Sequence, residues 1–170
     1  PWLLATAFAT YTAGYLCVTA FLPTLLIETA GWSQVAAGTA TALVVFLNVP
    51  GNLFGGWLLQ RGAPRGWLIA IAAAAMGGLS LAIYATDLDA FAKLVAACVY
   101  SLVAGLLPSS VMSGAPLHAP SPAQIGTTNG LVLQWANAGQ LAAPPVFAAV
   151  ASAAGWPAAA WFTLGLGAAG

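Results

Sequence analysis

Long apolar runs separated by short polar breaks dominate this chain of 170 residues. A helix that crosses a bilayer needs about 20 mainly apolar residues. Five runs reach that length and a sixth is shorter, so the pattern predicts spans over these ranges: Trp2–Ile27, Gln34–Leu59, Gly66–Ala85, Ala90–Val111, Pro122–Ser152 and Pro157–Gly170. Because the chain begins at Pro1 and ends inside the sixth run, we expect it to be a fragment of a longer protein.

The breaks between runs carry residues typical of helix ends. Before the fifth run, Ser121, Pro122 and Gln124 supply a capping hydroxyl, a first-turn proline and a third-position amide, which is the pattern of a capping box. Gly31–Ser33 supplies a turn, an interfacial tryptophan and a cap before the second run, and Gly155–Pro157 is similar before the sixth. These signals favour helices that end where the apolar runs end.

The composition excludes a water-soluble protein. Charged residues make up 4% of the chain and hydrophobic residues 61%, whereas soluble domains have about 25% and 45–50%. The mean hydropathy is +0.93, so we expect the lipid bilayer to cover most of the surface. A net charge of zero offers no basic face for nucleic acid. Cys17 and Cys98 lie inside apolar runs, so we expect no disulfide framework, no metal and no cofactor.

The charged residues define two faces, because they lie at or near the breaks. If every run crosses the membrane, Arg61 and Arg65 fall on one face, with His118 in a later loop. Arg and Lys are enriched on the cytoplasmic side. We therefore predict a multi-pass protein of the cytoplasmic (inner) membrane, with its N-terminus and the Arg61 loop inside. The charges on the opposite face are Glu28, Asp87, Asp89 and Lys93.

Two windows of the chain resemble each other. YLCVTAFLPT, from Tyr15 to Thr24, aligns with YSLVAGLLPS, from Tyr100 to Ser109, and Gly51 aligns with Gly139 at a similar offset. In so biased a composition, chance is the alternative to a true repeat. A true repeat would divide the chain at about 1–86 and 87–170. Because each copy would have three spans, the second copy would cross the membrane in the opposite direction, as in many secondary transporters.

The stretch GGWLLQRGAPRGWLI, from Gly55 to Ile69, resembles the loop motif of the major facilitator superfamily. That motif places Gly, an acidic residue, Arg, Gly and a further basic residue at fixed spacing. Gln60 stands at the acidic position and Ala63 at the second glycine, so this copy is degenerate, as is usual in the second half of such transporters. The matching residues are Gly56, Arg61 and Arg65.

Two further stretches agree with the resemblance. FLPTLLIETAGWSQVAAGTATAL is similar to the family's seventh and eighth helices, and TTNGLVLQWANAGQLAAPPVFAAV is similar to its eleventh. Within the family, the cyanate and nitroimidazole permeases are the most similar in character. The resemblance implies an all-α integral membrane protein whose six helices, the seventh to a truncated twelfth, form two inverted three-helix repeats. It also implies a small-molecule substrate and an N-terminal six-helix half of the same polypeptide as partner.

A set of polar side chains lies inside the predicted spans, where an unpaired amide costs several kcal/mol. They must therefore face protein or water. Lining of a substrate cavity and interhelical hydrogen bonding are the two alternatives. The candidate cavity residues are Tyr11, Tyr15 and Thr19 in the first run, Asn48 and Asn52 in the second, and Gln134 and Asn137 in the fifth.

Two other features have a structural and a functional interpretation. Pro144 and Pro145 remove two backbone donors, so we expect a kink or break there, either a gating hinge or a passive bend. Arg61 and Arg65 are either topology signals or a cytoplasmic latch that pairs with helix C-termini. No ionisable residue lies within a span, so we expect any proton-coupling residue to lie outside this chain.

The sequence favours part of a secondary active transporter that moves a small solute by alternating access. A polytopic channel or a structural membrane subunit is the main alternative, which would predict a continuous polar stripe or an oligomer-forming face. An intramembrane enzyme is less favoured. Its candidate pair, Ser113 and His118, lies at a membrane end and has no GxSG motif around the serine.

Overall fold

The computed structural model describes residues 1–169, which form helices joined by short loops and contain no β-strand. The helices are α1 (Trp2–Ala30), α2 (Gln34–Phe46), α3 (Asn48–Gln60), α4 (Arg65–Tyr84), α5 (Ala90–Ala104), α6 (Leu106–Met112), α7 (Ala115–His118) and α8 (Ile125–Ala169), with a 3₁₀ turn at Pro122–Gln124. Five stretches are long and apolar enough to cross a membrane: Trp2–Ala30, Gln34–Gln60, Arg65–Tyr84, Ala90–Met112 and Pro122–Ala169. The first four agree with predicted runs, and the last one covers the fifth and sixth predicted runs together.

The long helix α8 contains a reversal at Gly155. This residue has φ 81° and ψ 171°, a conformation that glycine adopts without a Cβ clash. Phe147 and Trp156, on either side of it, both contact Tyr84, and Thr163 bonds to Ser80 further back along α4. The segment after Gly155 therefore runs antiparallel to α4. The chain thus turns back close to the point where the fifth run was predicted to end.

The expected break at Pro144 and Pro145 is not found. Within the described part of α8, the non-helical backbone angles lie at Gly155, and both prolines keep helical angles. Neighbouring helices allow proline inside membrane helices, because they can satisfy the freed backbone groups. The role of the two prolines as a hinge stays a prediction.

Two predicted spans are each divided near their middle by a proline. The second span divides after Phe46 and the fourth after Ala104. Pro50 and Pro108 lack the N–H that would bond to these two residues' carbonyls four positions earlier. The interruptions are slight, because the junction residues keep right-handed helical angles.

The two divided spans cross at glycines. A Cβ on Gly51 would collide with the carbonyl of Leu102, and one on Gly105 would collide with the backbone of Asn48 and Asn52. Backbone atoms cannot move aside as a flexible side chain can. The crossing of α3 with α5 and α6 therefore depends on the absence of side chains at these two positions.

The helix starts are capped in different ways. Ser33 caps α2 as predicted, since its Oγ accepts a bond from the N–H of Ala36 at 3.2 Å. The capping box at Ser121 is wrong. A 3₁₀ turn follows Ser121, so α8 begins only at Ile125, and the Ser121 hydroxyl instead donates to Oε1 of Gln124 at 3.4 Å.

The α1 helix occupies the centre of the bundle, where α2, α4, α5, α6 and α8 surround it. The segment of α8 after Gly155 packs on α4, with Leu164 against Gly77 and Gly167 against Ala73. The bundle has a basic end, with Arg61, Arg65 and His118, and an acidic end, with Glu28, Asp87 and Asp89.

Candidate functional site

A polar cluster joins α1, α3 and α5. The hydroxyl of Tyr15 shares a hydrogen bond of 3.1 Å with Oγ of Ser101. The amide of Asn48 donates to the backbone carbonyl of Ser101 at 3.2 Å and lies 3.5 Å from the hydroxyl of Tyr11. We call Tyr11, Tyr15, Asn48, Tyr100 and Ser101 the tyrosine–amide cluster. The cluster brings the candidates Tyr11 and Tyr15 of the first predicted span together with Asn48 of the second.

Aromatic stacking orders the cluster. Tyr11 and Tyr15, one turn apart on α1, stack with centroids 5.8 Å apart, and Tyr15 stacks on Tyr100 at 6.3 Å. Tyr11 and Tyr100 are buried, whereas Tyr15 and Asn48 are half-buried. Since Asn48 and Ser101 lie near the middle of their spans, the cluster lies at mid-depth in the bundle.

Other candidates on α1 and α3 are near the cluster without belonging to its hydrogen-bond network. Thr19 is buried and its hydroxyl donates to the carbonyl of Tyr15 at 2.9 Å, within α1 itself. Asn52 is half-buried one turn beyond Asn48, where its backbone faces Gly105. The Thr19 hydroxyl therefore satisfies its donor locally, as hydroxyls in membrane helices commonly do.

The two candidates on α8 lie elsewhere. Gln134 and Asn137 are exposed, while Val132 and Ala136 on the other side of the helix are buried in the bundle. The structure therefore places these amides on an outward face and does not bring them to the tyrosine–amide cluster.

Ser101 is the functional candidate that the sequence did not single out. It contributes both its hydroxyl and its carbonyl to the cluster, and it is fully buried. Its neighbour Tyr100 was noticed only as the start of the second repeat window. A signal was available, because the windows aligned Tyr100 with the candidate Tyr15, which pointed to this part of α5.

The two loop arginines make different contacts at the basic end. The guanidinium of Arg61 lies 4.2 Å from the ring centroid of Trp57, one turn back on α3. Arg65 crosses to α6 instead, where its Nη2 donates to Oγ of Ser113 at 3.3 Å and its guanidinium packs on Gly114. Arg65 therefore lies at the C-terminus of α6, where the helix dipole favours a positive charge.

The remaining loop-motif residues make few contacts. Gly56 is half-buried with open space where a Cβ would project, and Gln60 is exposed at the end of α3. Within the described residues, the buried Nε of Arg65 has no hydrogen-bond partner. Arg65 is the member of the motif that bonds to another helix, through Ser113.

The serine and histidine considered for catalysis are engaged with other groups. Ser113 bonds to Arg65 and to the carbonyl of Ser109, while the Nδ1 atom of His118 lies 2.9 Å from the carbonyl of Gly114. These contacts do not form a nucleophile and base pair. In the part of the chain that the structure describes, no three metal-ligating side chains cluster together.

The apolar spans and the enclosed polar cluster define a helical, multi-pass membrane protein. Two curated proteins, both described as "Probable nitrate/nitrite transporter NarK2", are similar to it; they come from Mycobacterium tuberculosis strains CDC 1551 / Oshkosh and ATCC 25618 / H37Rv. Each is 28% identical over 134 residues, covering 77% of this chain and 33% of the relative. The chain thus spans about a third of the relatives' length. No family model and no solved structure matches.

Proposed function

We propose that this chain is the C-terminal half of a secondary active transporter of the major facilitator type. The observation that carries the proposal is the similarity to the nitrate/nitrite transporters over 77% of the chain. The degenerate loop motif at Gly56, Arg61 and Arg65 supports the family. In this proposal the six helices rock against an N-terminal six-helix half of the same polypeptide.

Contacts between the two windows support an inverted repeat. Tyr15 and Tyr100, which align in the repeat, stack on each other. Gly51 packs on the backbone of α5, and its repeat partner Gly139 packs on the backbone of Ala9 in α1. Each repeat thus contributes a glycine from its second helix to the first helix of the other copy. This exchange is what a two-fold axis in the membrane plane would produce.

The first substrates to test are nitrate and nitrite, since the relatives' description names them. Such small anions require hydrogen-bond donors. The mid-depth cluster contains the Asn48 amide and the Tyr15 and Ser101 hydroxyls, which bond within the cluster in this structure and would turn to the anion when it binds. The described spans contain no Arg or Lys at this depth. We therefore assign the positive charge that balances the anion to the partner half.

The basic end is proposed to face the cytoplasm, because it carries Arg61 and Arg65. Gln134 and Asn137 are proposed to face the cavity between the halves, because both are exposed amides of α8. The polar cluster itself lies between α1, α3 and α5, with Tyr15 and Asn48 half-buried. A compact cluster suits a gated site better than the continuous polar stripe of a channel.

A counterflow experiment distinguishes a transporter from a channel. The full-length protein would be reconstituted into vesicles loaded with unlabelled nitrate, and entry of isotopically labelled nitrate or nitrite would be measured. We expect saturable uptake that is faster when the vesicles are preloaded, because alternating access exchanges solute across the membrane. Non-saturable flux that is indifferent to preloading would instead indicate a channel, and absence of flux for both anions would reject them as substrates.

A further inference from the structure

A pocket of about 260 Å³ opens at the acidic end, between the last turns of α1 and the part of α8 before its reversal. The residues with polar side-chain oxygens that line it are Glu28, Thr24 and Ser152. The rings of Phe21 and Trp156 complete the wall. This pocket is separate from the tyrosine–amide cluster, with which it shares no lining residue.

The helix directions make the pocket electronegative. Thr12 bonds to the carbonyl of Ala136, and Phe21 contacts Phe147 further along both helices, so α1 and α8 run in the same direction up to Gly155. Their C-terminal ends therefore meet at this pocket. Each helix end carries partial negative charge, because its last carbonyls have no donor within the helix.

The charged groups at this end add to this effect. Glu28 supplies a full negative charge and forms no ion pair with any residue in 1–169. Lys93, the basic residue at this end, is 8% exposed and does not line the pocket. Among the residues that line the pocket, one side chain is acidic and none is basic.

The aromatic walls also suit a cation. Trp156 is held in place by stacking on Tyr84 at 5.5 Å and by contact with Phe147. A cation near the face of an aromatic ring gains about 0.5–1 kcal/mol at exposed sites. Carboxylate, helix ends and aromatic rings therefore all favour a positive ligand at one place.

We propose that this pocket binds a primary ammonium group. Such a group has three N–H donors, and three residues that line the pocket, Thr24, Glu28 and Ser152, have side-chain oxygens that can accept a hydrogen bond. Sites for drug-sized ligands have volumes of about 300–1,000 Å³. The volume of this pocket is smaller, so its ligand is compact. A divalent cation prefers six or more oxygen ligands, whereas this pocket has one carboxylate.

The ammonium has two possible sources, a soluble amine or the headgroup of an ethanolamine lipid, because the pocket lies at a membrane end. The inference does not rest on the proposed transport activity, since it concerns equilibrium binding. Failure of nitrate transport would leave it untouched.

Calorimetric titration of the full-length protein in lipid-free detergent with ethanolammonium chloride tests the soluble source. The lipid source is tested by the thermal stability of the protein in nanodiscs containing phosphatidylethanolamine against phosphatidylcholine. We expect one of these probes to bind, and Glu28→Gln to weaken that binding about tenfold, because it removes a charge-assisted hydrogen bond. Ser152→Ala is expected to weaken it less.

Asp87→Asn is the matched control, since Asp87 is an exposed acid at the same end and does not line the pocket. Binding should be unchanged in this variant, and circular dichroism should show that both acid variants fold. Three results would overturn the proposal: no binding of either probe, equal weakening by the two acid variants, or equally tight binding of tetramethylammonium, which has no N–H donor.

Discussion

The side-chain amide of Asn48 donates a hydrogen bond of 3.2 Å to the backbone carbonyl of Ser101, which ties α3 to α5 at mid-depth. The same carbonyl also accepts from the N–H of Gly105, one turn later in the chain. The amide of Asn48 thus donates to the second lone pair of a carbonyl oxygen that already accepts a hydrogen bond within its own helix. This contact explains how an amide is accommodated in an apolar span.

Loss of the Asn48 amide should destabilise the bundle moderately. We expect Asn48→Ala to lower the free energy of unfolding by about 1 kcal/mol, since interhelical hydrogen bonds in membranes average about 0.6 kcal/mol and burial adds to the loss. Unfolding in detergent measures the effect. Gln134→Ala, at an exposed amide, is the control and should change stability little; equal losses would show that the Asn48 bond contributes nothing.

At the crossing of α3 with α5 and α6, substitution of a tightly packed glycine should cost more stability than substitution of an open one. Gly105→Ala would place a methyl group against the backbone of Asn48 and Asn52, so we expect a loss of about 1–3 kcal/mol or failure to fold. Gly126→Ala meets nothing within 4 Å in a helix, and should be neutral or stabilising by up to about 1 kcal/mol. Thermal unfolding of the two variants checks this order. The reverse order would show that the α3 and α6 backbones are not in close contact.

The latch hypothesis can now be assigned to one arginine. On the loop motif alone, Arg61→Ala would be expected to slow transport without affecting insertion. Because Arg65 is the residue that reaches Ser113, we expect Arg65→Ala to slow transport by the full-length protein about fivefold, and more than Arg61→Ala does.

Uptake per inserted molecule is the measurement for the latch, with abundance determined in the same membranes. Arg65→Lys keeps the charge but loses the fork of donors that reaches Ser113, so it should restore transport only in part. Normal uptake by Arg65→Ala would leave both arginines as topology signals alone.

The orientation is testable with cysteine labelling. In a background where Cys17 and Cys98 are replaced by alanine, Gln60→Cys places a thiol at the basic end and Thr86→Cys places one at the acidic end; both positions are exposed. In intact cells, a membrane-impermeant maleimide should label position 86 and spare position 60, because the basic end is proposed to be cytoplasmic. Labelling of position 60 alone would invert the proposed topology.

The spans were predictable because apolar run length is a local property. The ends of α1 and α4 differ from the predicted ends by only a few residues. The divisions after Phe46 and Ala104 were missed, although Pro50 and Pro108 were visible in the sequence. A proline alone does not decide whether a helix is divided, since the backbone stays helical at Pro144 and Pro145.

The candidate cluster was predictable only in part. Helical spacing placed Tyr11 and Tyr15 on one face, and it correctly grouped Asn48 as a residue that needs a partner. Spacing carries no information about which helices meet, so it did not find Ser101 and could not separate Gln134 from the cluster. Those relationships are set by the glycine crossings between spans.

The hydrogen bond between Asn48 and Ser101 depends on the identity of the side chain at one of its two ends only. The donor is a side chain, whereas the acceptor is main chain and belongs to whatever residue occupies position 101. Substitutions at 101 can therefore keep the link between α3 and α5 provided that the side chain fits, while substitutions at 48 cannot. With the stability of the bundle as the readout, alanine at 101 should accordingly be tolerated better than alanine at 48.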